Sequence, residues 1–234
     1  MSALVPQNII MRKFNFQNGQ FYHIFNRGVD KRVIFNSSED YIRFLQGMKA
    51  FNDEQPVGSL WLVNKRKEKL VSALVPHQVG EGLKRSPKPL TDIICYSLLP
   101  NHFHLILQQK KDAGVSNFLQ RLGSGYTSYF NQKNERSGSL FQGTYKAVQV
   151  ESDEQLLYLS SYINGNPEIH KIAKADKYNW SSYSDYLGLT NYGLCSKKGI
   201  LKEYKTTEDY REYTAEVIKE SGARKEELKK IKFE

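Results

Sequence analysis

The stretch Ile93-Ile94-Cys95-Tyr96-Ser97-Leu98-Leu99-Pro100-Asn101-His102-Phe103-His104-Leu105-Ile106-Leu107 decides the fold. Two apolar runs flank a Pro-Asn pair, and strand, short turn, strand predicts a β-hairpin. On its N-terminal side, Phe21-Tyr22-His23-Ile24-Phe25-Asn26-Arg27-Gly28 reads as an aromatic-rich strand closed by glycine. Between them Tyr41, Phe44, Leu45, Met48 and Phe51 share one helical face, with Ser37 or Ser38 as cap and Glu39 and Asp40 in the first turn. On the C-terminal side, Val115, Phe118, Leu119, Leu122, Tyr126, Tyr129 and Phe130 predict a second helix over Val115 to Asn131. Leu140 to Val150 reads as a strand. A third helix starts at Ser152, with Gln155 placed for a capping box, and is expected to stop around Asn166 because Pro167 follows.

The order β-α-β-β-α-β predicts an α+β fold, a ferredoxin-like antiparallel sheet with helices on one face. Residues 56–90 hold four prolines (Pro56, Pro76, Pro87, Pro89) and a basic run, and read as an insertion. One domain over 1–190, followed by a charged, helix-prone tail over 191–234, is the expected organisation.

Lys plus Arg is 34 against 25 Asp plus Glu, a formal net charge of +9. A polyanionic partner is therefore expected, nucleic acid before a membrane surface. No apolar run approaches the length of a spanning helix, so no membrane association is expected. No secretory pattern opens the chain, and two cysteines build neither a disulfide framework nor a four-cysteine zinc site, so a cytoplasmic, nucleoid-associated protein is expected.

His102 and His104 are two apart on a strand, so both imidazoles leave the same face and can share a divalent cation. Ordinary half-buried histidines fit the same spacing. No Asp or Glu adjoins the pair. Tyr158, Tyr162 and Asn166, spaced by four, stack on one face of the third helix, and Asn166 offers an oxygen about 6 Å along the axis from Tyr162. A tyrosine beside a divalent cation can act as a nucleophile. Two packing tyrosines and a C-cap asparagine fit that pattern as well.

Several stretches carry a family likeness. Leu98-Leu99-Pro100-Asn101-His102-Phe103-His104-Leu105-Ile106-Leu107 resembles the His-hydrophobic-His motif of the HUH-type single-tyrosine transposases, and Tyr162-Ile163-Asn164-Gly165-Asn166-Pro167 resembles the tyrosine helix of their REP-associated group. Residues 22–28, Gly138-Ser139-Leu140-Phe141-Gln142-Gly143 and Trp180-Ser181-Ser182-Tyr183 match in the same order, over about residues 20–188. The resemblance implies a single-stranded DNA endonuclease and strand transferase. Tyr162 would be the nucleophile and form a 5′-phosphotyrosine link. His102, His104 and Asn166 would hold Mg²⁺ or Mn²⁺, and imidazole ligands suit Mn²⁺ the better of the two. The implied partner is single-stranded DNA with hairpins, and a homodimer and a monomer both stay open. Arg27, Lys31, Arg32 and Lys146, with Lys65, Arg66 and Lys67 in the insertion, are candidate DNA contacts. A non-catalytic DNA- or RNA-binding protein on the same fold is the alternative, and a zinc hydrolase ranks behind both.

Overall fold

The computed structural model describes residues 15–55 and 88–231. Strands β1 (Phe21–Arg27), β2 (Thr91–Leu99), β3 (His102–Gln109) and β4 (Lys146–Gln149) form one antiparallel sheet in the order β2-β3-β1-β4. Helices α1 (Ser38–Phe51) and α2 (Gly114–Lys133) cover one face. This is the expected ferredoxin-like core. Helix α3 (Asp153–Ile169) covers the other face. Two single-turn helices follow, α4 (Tyr183–Tyr186) and α5 (Lys198–Leu201), and then the long tail helix α6 (Thr207–Ile231), which packs on α3.

Alternation along each strand divides the core in two. Tyr22, Ile24, Tyr96, Leu98, Phe103 and Leu105 pack under α1 and α2 with Phe44, Phe118 and Tyr126. Cys95 and Ile106 point the other way and meet Leu156, Leu159 and Ile163 of α3. Near the β2–β3 turn that second face carries three polar side chains, Ser97, His102 and His104, beside the buried Leu99.

Local signals explain most boundaries. Ser37 caps α1 in a capping box completed by Asp40, whose buried carboxylate accepts from the Asn36 and Ser37 amides, Tyr129 and Lys133. At α3 the Ser152 hydroxyl accepts from the Gln155 amide, while the Gln155 side chain reaches back to the Glu151 amide.

Two expectations are corrected. The strand read over Leu140–Val150 shrinks to Lys146–Gln149, because Gly143 turns the chain at φ +69° and only a single bridge joins Phe141 to Gly28. Helix α3 does not stop at Asn166 but runs through Pro167 to Ile169. Proline removes one amide donor from the last turn, yet the Asn166 carbonyl still accepts from His170 N and the Pro167 carbonyl from Ile172 N, both within 2.9 Å. Burial of Pro167 and Ile169 holds that turn down. Residues 56–87 of the insertion, with Lys65, Arg66 and Lys67, lie outside the described residues.

Candidate active site

The β2–β3 register sets His104 opposite Ser97, and the β1–β3 register sets it opposite Phe25, while His102 faces Arg27. Directly paired residues share a face, so Ser97, His104 and Phe25 form one row across the sheet, extended by Lys146 on β4. His102 and Arg27 belong to the next row. Both histidines leave the same face, with ring centroids 5.2 Å apart, as the strand period requires.

Helix α3 closes the site from above. Tyr158, Tyr162, Asn166 and His170 recur every four residues and share one stripe. At its end the His170 ring lies 5.1 Å from that of His102, which brings the stripe against the histidine strand of the same chain. Asn166, one turn before His170, is fully buried, and among the described residues both polar atoms of its amide lack a hydrogen-bond partner. Ser97 Oγ, in the row of His104, is likewise buried without one. Orphaned buried polar atoms are rare and call for an absent partner. His102, His104 and Asn166 offer two imidazoles and an amide oxygen, donor types that a divalent cation of intermediate softness accepts, so these residues fit such an ion. Among the described residues no group of three or more His, Cys, Asp or Glu is arranged as a metal site.

Burial disfavours the charged form of three of the site's histidines. Burial lowers His102 to about 4, assisted by the nearby positive charges of Lys225 and Arg27. Burial lowers His23 to about 4 as well, and pushes His104 well down, with His23, His102 and His170 adding to the effect. Four of the chain's five histidines, His23, His102, His104 and His170, meet here. Each of the three lowered groups binds a proton more readily in the unfolded chain, so the unfolded state gains protons first as pH falls. Stability is therefore full above the ordinary histidine value near 6.5 and drains away toward pH 4. The midpoint of thermal unfolding is expected to be lower at pH 5 than at pH 7; equal midpoints would contradict a neutral cluster.

Asn101 orients His102. Its Oδ1 lies 2.6 Å from His102 Nδ1, and its own amide nitrogen donates to the Lys31 carbonyl at 3.1 Å, so the amide oxygen must be the acceptor. His102 Nδ1 then carries the proton and Nε2 keeps its lone pair.

Tyr162 is half-buried on the α3 stripe, and its ring stacks on Tyr158 at 6.3 Å. Burial raises its phenol above the usual tyrosine range, with Tyr158 adding to the shift. Tyr126 of α2 is core: it is 2% exposed and donates to the Ile34 carbonyl.

Of the candidate DNA contacts, Arg27 is exposed at the end of β1 and donates to Gln142; Lys31 and Arg32 are exposed in the turn beyond it, and Lys146 is exposed at the start of β4. All four lie at the histidine end of the sheet. The sequence reading gave no role to His170, Ser97 or Lys225. His170 continues the four-residue spacing of the tyrosine stripe and was legible once Pro167 no longer ended the helix. Lys225 carries no such signal, since only the docking of α6 brings it near His102.

A family model described as "Transposase IS200 like" matches residues 59–166. A solved REP-associated tyrosine transposase bound to a REP hairpin is similar at 13% identity and a TM-score of 0.49, over 83% of this chain and 88% of that one. A tRNA(His) guanylyltransferase from Saccharomyces cerevisiae is similar at 11% identity and a TM-score of 0.34, over 89% of this chain and 80% of that one. No curated protein matches the sequence. The matched residues 59–166 contain the histidine strand, the α3 tyrosine and Asn166, and over that stretch the chain is similar to the IS200-like transposases.

Proposed function

We propose that this chain is a metal-dependent, single-tyrosine endonuclease and strand transferase for single-stranded DNA, of the REP-associated group. The observation that carries the reading is the orphaned amide of Asn166, one turn beyond Tyr162 on a stripe that ends against His102. His102, His104 and Asn166 would hold Mg²⁺ or Mn²⁺, which when bound polarises the scissile phosphate and favours the phenolate.

The chain's own residues supply the rest. The Tyr162 oxygen attacks phosphorus and its proton leaves to solvent. The Tyr162–phosphorus bond forms as the bond from phosphorus to the 3′-oxygen breaks, and that oxygen takes up a proton. One strand end is then a 5′-phosphotyrosine and the other a free 3′-OH. Attack of a 3′-OH on the same phosphorus reverses the step and joins strands. Arg27, Lys31, Arg32 and Lys146 are exposed at the histidine end of the sheet, and their charge suits the phosphates of a bound strand. The hairpin partner follows from the family likeness of the motifs.

The test is a covalent-adduct assay on hairpin-bearing single-stranded DNA labelled on the 3′ side of the cleavage site. Label is expected to travel with the protein in denaturing gels when Mn²⁺ is present, at least as strongly as with Mg²⁺, and to vanish with EDTA. Peptide mapping is expected to find the nucleotide on Tyr162. Tight hairpin binding with no adduct under any divalent ion would favour the non-catalytic binding protein.

A further inference from the structure

We propose that His23 is a positioning residue of this centre, which selects the tautomer of His104 that leaves Nε2 open to the cation. The proposal rests on the reading that His102, His104 and Asn166 hold a divalent ion. It starts from a contact between strands 81 residues apart in sequence: His23 Nε2 lies 2.9 Å from His104 Nδ1. The register pairs His104 with Phe25, so His23, two residues back on β1, shares that face and meets His104 along the diagonal. The two rings stack at 5.2 Å, and Phe25 packs 5.1 Å from His23 and 5.6 Å from His104. Neither imidazole can turn without giving up these contacts.

Two neutral imidazoles can share one hydrogen in two ways. If His23 Nε2 carries it, His104 Nδ1 accepts, the His104 proton sits on Nε2, and no lone pair remains for a cation. If His104 Nδ1 carries it, His23 Nε2 accepts and His104 Nε2 is open. Only the second arrangement makes His104 a ligand, and it matches His102, where Asn101 imposes the same choice. Both histidines would then present the same nitrogen from the same face. Ligating histidines ordinarily give their other N–H to a carboxylate, carbonyl or water; here a side-chain amide serves one and an imidazole the other. Among the described residues no carboxylate is hydrogen-bonded to His104, and His23 fills that place.

The test needs no DNA. Mn²⁺ affinity of the full chain is read by electron paramagnetic resonance of the free ion, and the His104 tautomer by ¹⁵N chemical shifts in metal-free protein. The natural chain is expected to bind Mn²⁺ and to hold the His104 proton on Nδ1. His23→Phe keeps a ring but cannot accept; it is expected to lose about 10- to 100-fold in affinity and to move the proton toward Nε2. His23→Gln offers an acceptor oxygen and is expected to recover most of the affinity, a rescue that a purely packing role would not give. Equal affinity in the natural chain and His23→Phe would overturn the proposal and leave the metal-centre reading intact. So would an Nε2 proton in the metal-free natural chain, a result that needs no variant to fold. A natural chain that binds no Mn²⁺ would overturn both.

Discussion

Asn166→Leu is expected to unfold later than the natural protein and to cleave DNA about a thousand times more slowly. The two halves of this result have one cause. Asn166 is fully buried, and among the described residues neither atom of its amide has a partner. Leaving buried polar groups unsatisfied costs about 1–3 kcal/mol. Leucine has the same γ-branched shape, carries no polar atom, and is a better helix former than asparagine by a few tenths of a kcal/mol. The variant should therefore gain roughly 1–3 kcal/mol, worth about 2–4 °C per kcal/mol in a chain of this size. The catalytic loss runs the other way. A Lewis acid contributes several kcal/mol at a phosphate, and each 1.36 kcal/mol is about tenfold in rate, which gives the thousandfold figure. Thermal unfolding with and without Mn²⁺ reads both halves together. The natural chain should gain stability from the ion by mass action, and Asn166→Leu should not. A variant that is less stable than the natural chain would mean that the amide has a structural partner, and unchanged cleavage would remove Asn166 from the site. Such a trade of stability against function is expected where a ligand-binding group is held buried before its ligand arrives.

What could be read in advance followed the range over which each signal acts. The His-x-His pair was legible because a strand has a period of two, and one short segment fixes it. That Tyr162 and Asn166 share a helix face was legible because a helix returns to the same face every four residues. The starts of α1 and α3 were legible because Ser37 and Ser152 cap them with atoms a few residues away. Two errors arose where local rules were overridden. Pro167 was read as a stop, yet the packing of Pro167 and Ile169 holds one more turn in place, and that turn carries His170 to His102. Leu140 to Thr144 looked like strand, yet Gly143 turns the chain there. The partner of His104 was not legible at all. It depends on the register between β1 and β3, which no segment of sequence contains. The same holds for Lys225, whose place beside His102 is set by how the tail helix lies on α3.

That docking can be broken at one residue. Gly165→Val is expected to lose about 3 kcal/mol of stability and most of the cleavage activity. Glycine inside a helix normally costs about 1 kcal/mol relative to alanine, so propensity alone argues for replacing it. Gly165 is kept small by its neighbour. A Cβ built there would lie 2.5 Å from Ile218 Cγ1 on α6, closer than carbon atoms sit, and a tight 3.1 Å from its Cδ1. The backbones approach this closely because buried polar contacts clamp the two helices, Asn164 to Tyr210 at 2.8 Å and Ser161 to Thr214 at 3.2 Å. A side chain at 165 must push α6 away and stretch those bonds, and overpacking of this kind costs about 1–3 kcal/mol. The same movement would carry Lys225 away from His102 and tilt the turn that holds Asn166. Ile218→Ala removes the atoms in the way. In the pair Gly165→Val with Ile218→Ala, stability and activity are both expected to exceed those of Gly165→Val alone, with a coupling of about 1 kcal/mol or more in a double-mutant cycle. Additive effects in that cycle would mean that α6 does not rest on Gly165, and recovery of stability without activity would mean that the tail supports the fold but not the site.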